Sequence, residues 1–257
     1  MLGFLPRLLL ACIIALAATL PAHAADQPDV CPAARVAPLV LPRVKDALDH
    51  NSELTIVAFG SSSTQGWHSS NIGQSYPAVL QATLSAALPA AHVAVINRGV
   101  GGQDAAEMLP RIETDVLEVR PSLVIWQVGA NGALKNRDPE EFRRLVADGV
   151  RRLRDHGIDV VLMDNQRAPL ILASPHHQKI DRVLMDLAAQ TGTGLFDRGG
   201  LMDQWQFSGH SYGEFISDDG IHHNDLGYRC VATALASAIL TGLSAPAPPV
   251  RSASARH

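Results

Sequence analysis

The sequence carries no basic patch, no internal repeat, no complete dinucleotide fingerprint and only three cysteines. Each shortage removes a class of protein. With 21 Lys and Arg against 25 Asp and Glu, and no cationic run, the chain lacks the footprint of a protein whose main partner is nucleic acid or an anionic membrane. The glycines at 99-GVGG-102 begin like a phosphate-binding loop. Asp104 then occupies the last position of G-x-G-x-x-G, which removes that reading. The apolar run Leu8–Leu20 has 13 residues, whereas a membrane helix needs about 20.

That run suits the hydrophobic region of a secretory signal. Arg7 precedes it, and Ala22-His23-Ala24 follows with the small-x-small pattern of a signal-peptidase site. We therefore expect residues 1–24 to be a signal peptide cleaved after Ala24, and a periplasmic or secreted protein with no stable membrane insertion after cleavage. The mature chain would have 257 − 24 = 233 residues and a net charge of 20 − 25 = −5, enough for one sizeable α/β domain. Cys12 leaves with the signal. Cys31 and Cys230 remain as an even pair in an exported chain, so a disulfide from the N-terminal arm to the C-terminal helix is expected.

What is present is alternation. Runs beginning at 54-LTIVAFG, 92-HVAVIN, 122-SLVIWQV, 159-DVVLMD and 194-GLFD read as short strands buried on both faces. Helical patterns separate them at 76–88, 103–119, 139–157 and 178–192, with Asp138-Pro139 as a start and Gly157 as a stop; a last helix is expected over about 228–240. Five alternations imply a parallel sheet with helices on both faces. Residues 25–52 read as an N-terminal arm, 53–240 as one domain, and the Pro/Ala/Ser-rich 241–257 as a disordered tail.

In such sheets the binding crevice lies beyond the carboxyl ends of the strands. The segments to search are therefore 60-GSSSTQG, 97-NRGVGGQD, 129-GANG and 164-DNQRAP, with the late loop 217-SDDGIHHND. Ser62 sits where strand turns into helix, a place that favours a developing alkoxide and equally suits a helix cap. Asp219 lies three residues before His222, a spacing that lets a carboxylate hold one ring nitrogen while the other faces the cleft. The Ser62 and Gly102 backbone N–H groups and the Asn131 amide are candidate donors for an oxyanion hole, although each also has a plain role in a turn.

Together these segments resemble the SGNH, or GDSL, hydrolase superfamily of esterases and lipases. Gly60-Ser61-Ser62 matches the family's Gly-Asp-Ser except at Ser61, 97-NRGVGG ends on the oxyanion glycine Gly102, Gly129-Ala130-Asn131-Gly132 matches Gly-x-Asn-Asp except at Gly132, and Asp219 to His222 matches Asp-x-x-His. The resemblance implies a three-layer α/β/α sandwich with a five-stranded parallel flavodoxin-like sheet of order 2-1-3-4-5. It also implies ester hydrolysis without a cofactor, with Ser62, His222 and Asp219 as nucleophile, base and orienting acid, on a small-molecule or glycan acyl ester. A short acyl group on an envelope or secreted polysaccharide is the first substrate expected, with lysophospholipid or thioester as the alternative.

Three rival readings stand beside this one. Gly209-His210-Ser211-Tyr212-Gly213 fits the G-x-S-x-G nucleophile elbow but lacks its strand and helix. His222 and His223 with Asp218, Asp219 and Asp225 could form a metal cluster, for which His176-His177 is the nearest further source of ligands. The chain could also be a catalytically silent, carbohydrate-binding protein on a hydrolase scaffold. Trp205, Phe207, Tyr212 and Phe215, in the loop expected before the catalytic segment, are candidates to line the cleft.

Overall fold

The computed structural model describes residues 31–244; the signal peptide expected over 1–24 and residues 245–257 of the expected tail lie outside that range. Five strands form one parallel sheet: β1 (Glu53–Gly60), β2 (His92–Gly99), β3 (Leu123–Gln127), β4 (Asp159–Met163) and β5 (Gly194–Phe196). Their order is β2-β1-β3-β4-β5, with β1 paired in parallel to β2 and β3. Every apolar run read as a strand is one.

The two faces of β1 show why it is apolar throughout. Leu54, Ile56 and Ala58 face a core that includes Tyr76, Leu80 and Leu84 of helix Tyr76–Ala87 and Val231, Leu235 and Ile239 of helix Asp225–Ser244. Val57 and Phe59 face the opposite core, with Trp126 of β3 and Phe142, Val146 and Val150 of helix Pro139–Asp155. Alternate side chains leave a strand on opposite faces, so a strand covered by helices on both sides must be apolar at every position. The result is an α/β/α sandwich with the flavodoxin-like strand order.

Local signals set several helix ends as expected. Asp138 accepts from Glu140 N and Glu141 N at 3.1 and 2.9 Å, and Pro139 opens the helix. Elsewhere the structure departs from the expectation. The helix expected over 103–119 is broken into Ala105–Met108, a 3₁₀ turn Leu109–Arg111, Ile112–Asp115 and a second 3₁₀ turn Leu117–Val119. Pro110 has no N–H to donate, so a continuous helix cannot pass through it without a missing bond. The arm assigned to 25–52 contains helix Pro42–Asn51 and buries Leu39 and Leu41 in the main core. The last helix runs Asp225–Ser244, so the first four residues of the expected tail, Thr241–Ser244, are helical. That helix is apolar and long enough to cross a membrane, yet it forms part of the domain core, with Cys230, Val231, Ala232 and Leu235 buried.

Cys31 and Cys230 form a disulfide with Cα atoms 5.2 Å apart, closing a separation of 199 residues. It joins the start of the described chain to the C-terminal helix. Cross-links over long loops typically contribute about 2–4 kcal/mol, largely by restricting the unfolded chain.

Candidate functional site

Ser62 begins a single helical turn, Ser62–Gln65, directly after β1. The preceding Ser61 points away from the crevice: its N–H and its hydroxyl both donate to Gln127 Oε1, at 2.9 and 3.0 Å. Thr64 Oγ1 donates to the same oxygen at 3.2 Å. One side chain at the end of β3 therefore holds both residues flanking the 62–63 pair, and Ser61 takes the motif's acidic position as a short hydrogen-bonding strut.

The late loop closes on itself before it reaches Ser62. Ile216 and His223 form an antiparallel bridge, and Ser217 N donates to His222 O at 2.8 Å. Gly220, at φ +70°, makes the turn between them. The turn places Asp219 beneath His222. Asp219 Oδ1 accepts from Ser217 Oγ at 2.6 Å and from the backbone N–H groups of Ile221 and His222, each at 2.9 Å. Its Oδ2 accepts from His222 Nδ1. Burial alone would raise the Asp219 pKa, but the Ser217 and His222 donors outweigh it and hold the carboxyl well below the ordinary range. An ionised carboxylate has no proton to give, so His222 carries its hydrogen on Nδ1. Nε2 is then free to accept, and Ser62 Oγ donates to it at 2.6 Å. Ser62, His222 and Asp219 thus form one hydrogen-bonded chain, with His222 itself buried.

The candidate oxyanion donors sit on the next two loops. Gly102 adopts φ +77°, and a Cβ built there meets nothing within 4 Å. Space is not what selects glycine here; the left-handed backbone is. Among the described residues no acceptor pairs with its N–H. Asn131 lies in the first turn of helix Ala130–Leu134, and its Nδ2 donates to Gln103 O at 2.9 Å. That bond spends one amide hydrogen, leaves the other, and ties the Asn131 loop to the residue after Gly102. Where the family pattern has an acid, Gly132 is buried, and a Cβ there would meet Phe142 in ordinary contact at 3.5 Å. Asp104 ties these loops instead: it accepts from Arg137 Nε at 2.9 Å and lies 3.4 Å from Lys135 Nζ.

Several residues at the site were not singled out by the sequence. His68 lies at φ +63° and places Nε2 3.2 Å from Asp219 Oδ2, with its ring stacked on His222 at 5.4 Å. Gln166 donates to Ile221 O at 2.8 Å in the late loop and to Ser63 Oγ at 3.4 Å beside Ser62. It accepts from Arg198 Nη2 at 2.6 Å, a guanidinium buried completely. A lone Gln after β4 or an Arg after β5 has no motif; only the crossovers bring them under the site.

Other expectations fail. The segment around 200–207 is a helix, Arg198–Phe207, and Trp205 and Phe215 pack on each other in the core with ring centroids 4.4 Å apart. Tyr212 donates to Asp203, and Phe207 lies on the outside with 93% of its surface exposed. Nothing in these contacts makes the four a cleft lining: the helix carries Trp205 inward and leaves Phe207 outside, and Phe215 packs onto Trp205. The elbow reading also fails: Gly209–Gly213 follows a helix, and Ser211 caps a 3₁₀ turn through Glu214. The residues of the rival metal reading are not brought together. His223 is fully buried, donates from Nδ1 to Phe215 O at 3.0 Å, and has its pKa pushed down to about 3, chiefly by burial. Asp225 accepts from Ser70 N at 2.8 Å, while His176 and His177 face Arg137 O and Ser174 O. The residues of ligand type that do cluster among the described ones are His68, Asp219 and His222, where Asp219 pairs with both rings.

The profile of the non-GDSL lipase-like family matches residues 27–245, most of the chain. The chain belongs to this family. Solved structures share its fold, among them a protein of the G-D-S-L family from Desulfitobacterium hafniense with a TM-score of 0.59 at 20% identity, over 72% of this chain and 99% of that one. A two-domain esterase active on acetylated mannans, co-crystallised with mannopentaose, has a TM-score of 0.70 at 22% identity, over 84% of this chain and 61% of that one. Identities this low speak for the shared fold. Esterase TesA of Pseudomonas aeruginosa is 28% identical over 102 residues, 39% of this chain and 50% of that protein. The uncharacterised lipoprotein YqeF of Bacillus subtilis is 30% identical over 115 residues, 42% of this chain and 46% of that protein. The chain therefore spans about half the length of the curated relatives it matches.

Proposed function

We propose that this member of the non-GDSL lipase-like family is an exported serine esterase that hydrolyses carboxylic acyl esters, with short acyl groups on polysaccharide as its substrates. The observation that carries the reading is the bonded chain from Ser62 Oγ through His222 to an ionised Asp219. In this mechanism Ser62 Oγ attacks the acyl carbonyl as its proton passes to His222 Nε2. The Ser62 and Gly102 N–H groups and the free Asn131 amide hydrogen receive the oxyanion. Collapse expels the alcohol, protonated by His222, and leaves an acyl-Ser62. Water, activated by the same imidazole, then releases the acid and restores the serine. The names of TesA and of the acetylated-mannan esterase support an ester as the bond cleaved. The Cys31–Cys230 disulfide supports export, since such bonds persist in oxidising compartments.

A fluorophosphonate probe tests the nucleophile. It should label Ser62, with Ser61, Ser63 and Ser211 unmodified in peptide maps; label on Ser211 overturns the assignment. A protein that hydrolyses no short-chain ester and takes no label is instead the silent binding protein. For the oxyanion hole, Asn131→Ala should lower kcat by about 10²–10³-fold while KM moves much less. A change confined to KM would make Asn131 a ground-state contact.

A further inference from the structure

The chain has three tryptophans. Trp126 and Trp205 are buried, at 0% and 1% exposure, whereas Trp67 is 51% exposed. Single exposed apolar side chains are ordinary on a protein surface, so exposure alone carries nothing. What sets Trp67 apart is how firmly it is held and where. Its N–H donates to Ser62 O at 3.0 Å, and its carbonyl accepts from Tyr228 Oη at 2.7 Å. Its indole Nε1 donates to Gln65 Oε1 at 3.1 Å, and the same oxygen accepts from Gly101 N at 2.8 Å in the oxyanion loop. A Cβ at Gly101 would lie 3.1 Å from the indole Cζ2, so the loop comes up close to the ring. The ring centroid is 5.7 Å from that of His222. A fixed aromatic ring, half open to solvent, therefore stands between the general base and the oxyanion loop.

The chemistry around it selects the ligand. Gln65 to Asn71 is Gln-Gly-Trp-His-Ser-Ser-Asn: one aromatic ring among amide, imidazole and hydroxyl groups. An alkyl chain calls for a continuous apolar wall. A sugar ring instead offers a face of slightly positive C–H groups, which suits the negative face of an indole, and a rim of hydroxyls for polar neighbours. A ring already immobilised loses little freedom on stacking, so the contact is retained as affinity.

We propose that Trp67 is the sugar platform of this site: the pyranose ring bearing the acyl group stacks on its exposed face, presenting the ester to Ser62 and favouring acylated carbohydrate over simple alkyl esters. This rests on the serine-esterase reading for the chemistry, but binding can be tested without turnover. In Ser62→Ala, titration with partially acetylated xylo- and mannooligosaccharides should change tryptophan emission saturably. Trp67 is the reporter, because the other two indoles are buried. By calorimetry, adding Trp67→Ala should weaken that binding about tenfold, the order expected for one aromatic stacking contact, and Trp67→Phe should restore most of it. With Ser62 present, Trp67→Ala should lower the ratio of kcat/KM on acetylated oligosaccharide to kcat/KM on ethyl acetate by about tenfold, chiefly through KM. Emission unmoved by oligosaccharide, or moved at lower concentration by a decanoyl ester, overturns the proposal. So does an equal loss on both esters, which would make Trp67 a brace for His222. If Ser62→Ala retains full turnover, the serine reading fails, and the calorimetric result still decides the platform.

Discussion

Ser62→Ala should lower kcat on a short-chain ester by about 10⁴–10⁶-fold, and His222→Ala should do nearly the same. Ser62 Oγ has one acceptor for its proton, His222 Nε2 at 2.6 Å, and the imidazole reaches Asp219 through its other nitrogen. Residues that act as one unit are not additive, so the Ser62→Ala/His222→Ala double variant should be little worse than either single. His223→Ala is the control. That ring is wholly buried against Tyr228, its centroid 5.5 Å away, and touches no reacting atom. Its loss should lower the melting temperature while turnover per folded molecule largely persists. Kinetics per active site with thermal denaturation would check both. If the two histidine variants lose turnover equally, and a chelator does the same to wild type, the site is a metal centre and the serine mechanism falls.

Asp219→Asn should lower kcat by about 10⁴-fold with the fold intact. The substitution keeps the shape and reverses the hydrogen-bonding sense. An amide nitrogen facing Nδ1 would move the imidazole proton to Nε2, where it can no longer accept from Ser62. The pH dependence of stability gives an independent sign. Asp219 is held ionised by Ser217, the loop N–H groups and His222, with its pKa depressed. Its contribution to stability is therefore present above the ordinary carboxylate range and is lost as pH falls toward the folded value, so the denaturation midpoints of wild type and Asp219→Asn should converge as the pH is lowered. A loss in kcat below tenfold would remove Asp219 from its orienting role, and midpoints equally far apart at every pH would remove its charge from the stability of the loop.

The sequence by itself determined the layered α/β architecture, because burial on both faces makes a strand apolar at every position, and 54–60 and 123–127 are apolar or nearly so without reference to any neighbour. It also determined helix 139–155, whose Asp cap and first-turn Pro act within a few residues. The pairing of Cys31 with Cys230 was legible because only two cysteines lie beyond the expected signal segment. Ser62, Asp219 and His222 were legible as candidates because each lies just past a strand or in the late loop. Tertiary structure decided the rest. Pro110 breaks a run whose periodicity alone reads as one helix, and the helix Arg198–Phe207 turns Trp205 inward onto Phe215. His68, Trp67 and Arg198 carry no local signal, and Gln166 is marked only by lying in the segment after β4. Their positions depend on which strand ends the crossovers bring side by side, so contacts such as Gln166 to Ile221, 55 residues apart in sequence, exist only once the sheet order is set.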